Sequence, residues 1–219
     1  MELQGKVINF LGDSITYGHG LESSSLRFSD ILKKKFNLKA INNYGISGTR
    51  IAKQISPNPD CYEDVRDFCS RFSEMEEADI IIVFGGVNDY QHGDAPMGEF
   101  SDCLPETFCG ALHFLYSCLK EKYADSKIVI VTPLHMIGDF KKGGRYPETK
   151  ESLILEDYVN AIKKTAKYYE FQILDLFSYA ELNPNNIEVK LKYMPDGIHP
   201  NAEGHKIIAD LIGTFLENI

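Results

Sequence analysis

The sequence predicts an α/β protein: a three-layer α/β/α sandwich around a mostly parallel central sheet of about five strands. Two observations carry this. Short apolar runs alternate with amphipathic stretches along the whole chain, the pattern of parallel strands joined by covering helices. Each apolar run ends at Gly, Pro, Asp or Asn, residues that stop a strand and open a loop. Right-handed crossovers then place helices on both faces.

The elements follow in order. Val7–Phe10 is the first strand and breaks at Gly12-Asp13-Ser14. Serines near residue 25 can cap a helix over Ser25–Phe36. Ala40–Tyr44 is the second strand, interrupted by Asn42 and Asn43. Ile80–Phe84 is the third. Pro105–Tyr123 reads as a helix with proline at its first position and Phe108, Leu112, Leu115 and Leu119 at helical spacing. Ile128–Val131 is the fourth strand. Ser152–Tyr169 carries Leu155, Val159, Ile162 and Ala166 on one helical face. Ile173–Leu176 is the fifth strand, and Asn201–Glu217 closes the chain as a helix. Three long loops, Asp89–Leu104, Thr132–Lys150 and Phe177–Pro195, each follow a strand. Long structureless loops in a compact domain are often functional, and Lys141 to Arg145 is a candidate lid.

Composition narrows the function. The chain has 219 residues and a formal net charge of -9, which suits one domain over residues 1–219. An acidic chain with no basic run is a poor nucleic-acid binder and offers no polybasic handle for anionic membranes. Its five cysteines form no C-x-x-C pair, so free thiols and a cytoplasmic location are expected. No secretory leader and no apolar stretch of transmembrane length is visible. Cys109 and His113 share a spacing that could hold a metal, but no second pair supports them, so no metal is expected. A dinucleotide fingerprint and a phosphate-binding P-loop are both missing, so no cofactor is expected. Oligomeric state is not legible.

Four pieces carry chemistry. Ser14 follows the first strand. Gly45-Ile46-Ser47-Gly48-Thr49 follows the second, and Gly85-Gly86-Val87-Asn88-Asp89 the third. Asp196-Gly197-Ile198-His199 precedes the last helix. Open α/β sheets place active sites at the C-terminal ends of their strands. A serine there becomes a nucleophile when a base and an oxyanion hole accompany it.

In this order and on these elements, the four pieces resemble the SGNH, or GDSL-type, hydrolase family of esterases and lipases. Gly12-Asp13-Ser14-Ile15 matches its first block, with isoleucine where leucine is frequent. Gly48, Gly86-Val87-Asn88-Asp89 and Asp196-Gly197-Ile198-His199 match the other three. The resemblance implies a flavodoxin-like fold, a Ser14 nucleophile, a His199 base and an oxyanion hole from the N–H groups of Ser14 and Gly48 with the Asn88 amide. Asp196 is expected to orient His199; Asp175, at the end of the fifth strand, is the rival.

The implied activity is hydrolysis of a carboxylic ester through an acyl-enzyme. The substrate expected is a short acyl group such as acetyl on a sugar, glycan fragment or small molecule. No tryptophan is present, so any stacking on a sugar falls to tyrosine and phenylalanine. The alternatives are a lysophospholipase or thioesterase for longer chains, and a catalytically silent module that binds an acyl ligand. Weaker substrate-binding candidates are Asp13, Tyr17 and His135, followed by His19, His92, Tyr90, Met136 and Phe140. Asp13 and Asp89 are expected to brace turns, and His205 to be structural.

Overall fold

The structure is a computed structural model describing residues 1–53, 66–144 and 153–219. Its core is a five-stranded sheet of order β2-β1-β3-β4-β5, formed by β1 Val7–Gly12, β2 Ala40–Gly45, β3 Ile80–Phe84, β4 Lys127–Val131 and β5 Gln172–Leu174. Every pairing is parallel. The helices are α1 Ser14–Tyr17, α2 Phe28–Lys35, α3 Phe68–Arg71, α4 Val87–His92, α5 Phe108–Lys122, α6 Leu155–Tyr168, α7 Ile187–Tyr193 and α8 Ala202–Glu217.

Strand periodicity builds two cores. Side chains alternate across a strand, so Ile81 and Val83 face one side of β3 while Ile80, Ile82 and Phe84 face the other. The first side is covered by α5 and α6 through Leu112, Leu115, Val159 and Ile162. The second is covered by α2 and α8 through Phe28, Leu32, Ile208 and Ile212. Both faces are buried, which is why the central strands read as unbroken apolar runs.

The strand order fixes where a ligand can sit. From β1 the chain moves outward to β2, then crosses back to place β3 on the other side of β1. The C-terminal ends of β1 and β3 are therefore a topological switch point, where the crevice of an open α/β sheet lies.

Several boundaries differ from expectation. Helix α5 starts at Phe108, not Pro105: Thr107 caps it by accepting the Gly110 N–H, and the Pro105 carbonyl accepts the Lys53 N–H. Pro200 precedes the α8 cap, Asn201, whose side chain accepts the N–H groups of Glu203 and Gly204. The N-terminal end of the helix expected over Ser25–Phe36 is a separate 3-10 turn, Ser24–Leu26, capped by Ser23. The Asn42-Asn43 interruption does not break β2. Asn42 donates to the side chain of Asn9 on β1, and Asn43 to the Thr16 carbonyl in the helix that follows β1, so side-chain hydrogen bonds replace apolar burial.

Two of the three expected loops carry structure. Phe177–Pro195 holds the 3-10 turn Ala180–Leu182 and helix α7, and Asp89–Leu104 begins with most of α4. Helix α7 buries none of its residues and so leaves no amphipathic period in the sequence. Residues 145–150 of the third loop lie outside the described residues, as does Cys61.

Candidate active site

The site is assembled from the three strand ends and the turn before α8. Gly12 ends β1 and the chain turns at once into α1; glycine suits the corner because a side chain at Gly12 would meet Thr16 Oγ1 at 2.0 Å. Asp13 caps that helix, its carboxylate accepting the Ile15 N–H at 3.0 Å. Ser14 is thereby the first residue of α1, its side chain at the switch point and its N–H among those without an intrahelical acceptor.

Asp196 builds the opposite wall with both its oxygens. Oδ1 accepts the N–H groups of Ile198 (2.9 Å) and His199 (2.7 Å). Oδ2 lies 2.6 Å from His199 Nδ1, and His199 Nε2 lies 2.9 Å from Ser14 Oγ. Gly197 permits the tight turn with φ +85. Burial pushes His199 below the ordinary histidine range; Asp196 opposes this and the neighbouring His19 adds to it. Burial pushes Asp196 up, but the N–H groups of His199 and Ile198 and the imidazole outweigh it, and the carboxyl stays below its usual value. At neutral pH the arrangement is a carboxylate, a neutral imidazole and a hydroxyl in series.

Gly48 sits in the turn after β2 with φ +75, backbone geometry that favours glycine. Asn88 lies in the first turn of α4, beneath Gly86 with φ +112. Its amide nitrogen donates to the Thr49 carbonyl at 3.0 Å, and its amide oxygen lies 3.1 Å from His92 Nε2. Ser14, Gly48, Asn88 and His199 all line one cavity of about 250 Å³.

The weaker candidates divide. His19 and His92 line the cavity, and the His19 ring stands 4.5 Å from that of His199. Tyr90 and Met136 line an adjoining cavity. Asp13, Tyr17 and His135 do not line either of these cavities. The Asp13 carboxylate is turned to Ile15, and burial raises its pKa to about 7. Tyr17 is exposed beneath Arg27. His135 is held by Asp139 at 2.5 Å and stacks on Phe177. Phe140 points to solvent. Asp89 braces the loop after β2, accepting the N–H groups of Ile51 and Ala52. Asp175 is bound to Thr132 and Lys163, away from His199. His205 is buried and accepts the Phe28 N–H. His113 Nδ1 faces the Tyr169 hydroxyl at 3.2 Å, and among the described residues no three His, Cys, Asp or Glu side chains cluster as metal ligands would.

Of the other lining residues, Ser47 and Ile198 were read only as parts of the second and fourth pieces, and Gln91 was not a candidate at all. Gln91 had a signal. It stands one helical turn after Asn88, a spacing that shares a face once residues 87–92 are recognised as helix.

Residues 10–207 match the family model of the GDSL-like lipase/acylhydrolase family. A crystal structure of a Lactobacillus plantarum protein is 30% identical, with 98% of each chain covered and a TM-score of 0.82. A possible lipase from Chitinophaga pinensis is 22% identical, over 97% of this chain and 98% of that one, with a TM-score of 0.70. A two-domain esterase active on acetylated mannans is 19% identical, over 97% of this chain and 48% of its own, with a TM-score of 0.63. No curated protein matches. No helix among the described residues is long and apolar enough to cross a membrane.

Proposed function

The chain belongs to the GDSL-like lipase/acylhydrolase family, and on that premise we propose that it is a serine esterase working through an acyl-enzyme on Ser14. One observation carries the proposal: His199 Nε2 lies 2.9 Å from Ser14 Oγ while its Nδ1 lies 2.6 Å from Asp196. Ser14 Oγ attacks the ester carbonyl carbon and its proton passes to Nε2. The oxyanion is met by the N–H groups of Ser14 and Gly48 and by the Asn88 amide. One amide hydrogen of Asn88 is used on Thr49, which leaves the second for substrate. Collapse of the intermediate breaks the C–O bond, and the alcohol takes the proton from His199. Water then repeats the sequence and releases the acid.

The acyl group proposed is short, acetyl above all. Ser47, Asn88 and His92 are among the residues that line the catalytic cavity, and polar side chains there suit a methyl better than a long chain. The mannan-active relative gives a precedent for acetyl esters on this fold only. One domain over the whole chain does the chemistry, without cofactor. Cys69, Cys103, Cys109 and Cys118 form no disulfide, which fits the cytoplasm.

The test is intact-protein mass after fluorophosphonate treatment. One adduct on the wild type and none on Ser14→Ala is expected, together with Ser14-dependent release of acetate from aryl acetate. A folded wild type without adduct would move the chain to the silent binding module.

A further inference from the structure

The cavity adjoining the catalytic one has no part in the mechanism above. It measures about 210 Å³ and meets the catalytic cavity at Gln91 and Ile198, which wall both. Its other walls are apolar: Met136, Ile137 and the ring of Tyr90. The Tyr90 hydroxyl is turned to the carbonyls of Gly138 and Lys141, and its ring, buried to 1% exposure, backs the wall. The Lys141 side chain runs along Gly138, its Cε, Cδ and Nζ 3.1, 3.2 and 3.5 Å from where a side chain there would begin, and with Gly138 and Gly144 it closes the remaining side.

The two cavities are not placed symmetrically about Ser14. Gly48 and Asn88, the oxyanion side, line only the catalytic cavity. The second stands on the turn that carries His199. Ile198 precedes the histidine, and the Ile137 N–H donates to the Gly197 carbonyl at 2.7 Å. A general acid must touch the leaving oxygen, so the alcohol half of an ester lies against His199 and the acyl half lies across from it.

We propose that the second cavity is the subsite for the leaving alcohol, and that it selects esters whose alcohol carries a compact apolar group such as butyl, cyclohexyl or benzyl. This rests on the esterase reading and deepens it: the substrate is a small apolar acetate in preference to an acetylated glycan.

Methyl, butyl and benzyl acetates all form the same acetyl-Ser14, so kcat/KM across them isolates the alcohol. Each methylene that enters an apolar site is worth up to about fourfold, so butyl acetate should exceed methyl acetate by tens of fold. A parallel p-nitrophenyl series of acetate, butyrate and octanoate should not rise. Ile137→Trp fills the cavity and Ile137→Ala strips its wall; Ile137 is 44% exposed but packs on Gly197, so the readout is the ratio of two alcohols in the same variant and not the absolute rate. In each variant the butyl-to-methyl ratio should collapse towards one, a readout that a general loss of stability does not move. A flat alcohol series, a ratio unchanged in Ile137→Trp, or a gain along the acyl series would each overturn the assignment. Those results with Ser14 labelling and methyl acetate turnover intact would sink the subsite alone; loss of labelling and of all ester turnover in the wild type would sink both readings.

Discussion

Replacing Asp196 by Asn separates the two jobs of its carboxylate. The asparagine oxygen can still accept the N–H groups of Ile198 and His199, which now lie 2.9 and 2.7 Å from Oδ1, so the turn survives. The new NH2 faces His199 Nδ1. Only an imidazole that carries its proton on Nε2 can accept there, and such an imidazole cannot take the proton of Ser14. Two effects set the loss. Charge is the first: a carboxylate at ~4 Å favours the imidazolium by ~1 kcal/mol in water and ~4 kcal/mol at an effective dielectric of about 20. The Asp196 side chain is 50% exposed, which places the pair towards the weaker end, about five- to a hundredfold in rate. The wrong tautomer is the second, and the same change in a serine-protease triad costs about 10⁴. The expected fall in kcat is therefore about 10³ to 10⁴, read with p-nitrophenyl acetate at pH 8 and with circular dichroism to establish folding. Asp175→Asn is the control. Its carboxylate holds Thr132 at 3.0 Å and Lys163 at 2.5 Å, so kcat should stay within about threefold. A folded Asp196→Asn enzyme within tenfold of wild type would refute the orienting role.

Burial, the largest influence on His199, holds it below 6.5, and the base must be neutral to act. The kcat/KM profile should stay flat as pH falls through 6.5 and drop only further down; a midpoint above 6.5 would contradict the geometry. Asn88→Ala should lower kcat by about 10²–10³ with KM little changed, as loss of one oxyanion donor does. His92→Phe removes the 3.1 Å contact that orients the Asn88 amide and should cost less, about five- to tenfold for one neutral hydrogen bond. Stability should show two opposed titrations. Burial lowers His205 to about 4 from 6.5, so the unfolded chain takes a proton that the fold refuses, and stability falls by up to about 3 kcal/mol as pH drops through that window. Burial raises Asp13 from 3.8 to about 7, so the fold keeps a proton that the unfolded chain releases, and stability falls as pH rises across that range. His205→Asn retains an acceptor for the Phe28 N–H and removes the first titration. Urea unfolding at pH 4.5 and 6.5 should then show the variant more stable at the lower pH than the wild type is, relative to each at 6.5; an unchanged difference would exclude His205 as the source.

How far the sequence was legible depends on what each residue buries. Strands β1, β3 and β4 were plain because both of their faces are covered, leaving Ile80 to Phe84 without a polar break. The helices α5, α6 and α8 were plain because each carries one apolar stripe. Helix α7 was invisible for the opposite reason: its Ile187 and Leu191 are 62% and 70% exposed, and its start is set by the Asn186 side chain accepting the Glu188 N–H. Ser14, Gly48, Asn88 and His199 could be picked out as candidates because the proposed chemistry demands a residue type and the parallel sheet supplies the location, and the structure brings all four to one cavity. The cavity walls Gln91 and Ile198 were not, since any medium-sized side chain can form a wall. Tyr17 and His135 failed as candidates because adjacency in sequence to the site says nothing about direction; Arg27 and Asp139 take them elsewhere.

The glycine turn after β2 shows how the site is kept in register. No strand or long helix supports residues 46–52, yet under the proposed mechanism the Gly48 N–H has to be placed to a fraction of an ångström for an oxyanion. Three buried charges do it: Arg50, in the turn itself, donates to the His92 carbonyl at the end of α4, and Arg71 and Asp89 reach in from two helices. Arg71 on α3 donates to the carbonyls of Gly12 and Tyr44 and to the Thr49 hydroxyl, joining the ends of β1 and β2 to the turn. Asp89 on α4 accepts the N–H groups of Ile51 and Ala52, while its neighbour Asn88 holds the Thr49 carbonyl. An ion buried without partners costs several kcal/mol, so each charge has to gather backbone groups around it, and the groups within reach belong to the loops that carry the site. The Asn88-Asp89 pair in the sequence is thus one proposed oxyanion donor beside one strut. Only the first can be assigned from chemistry; the second follows from where α4 stands against the turn.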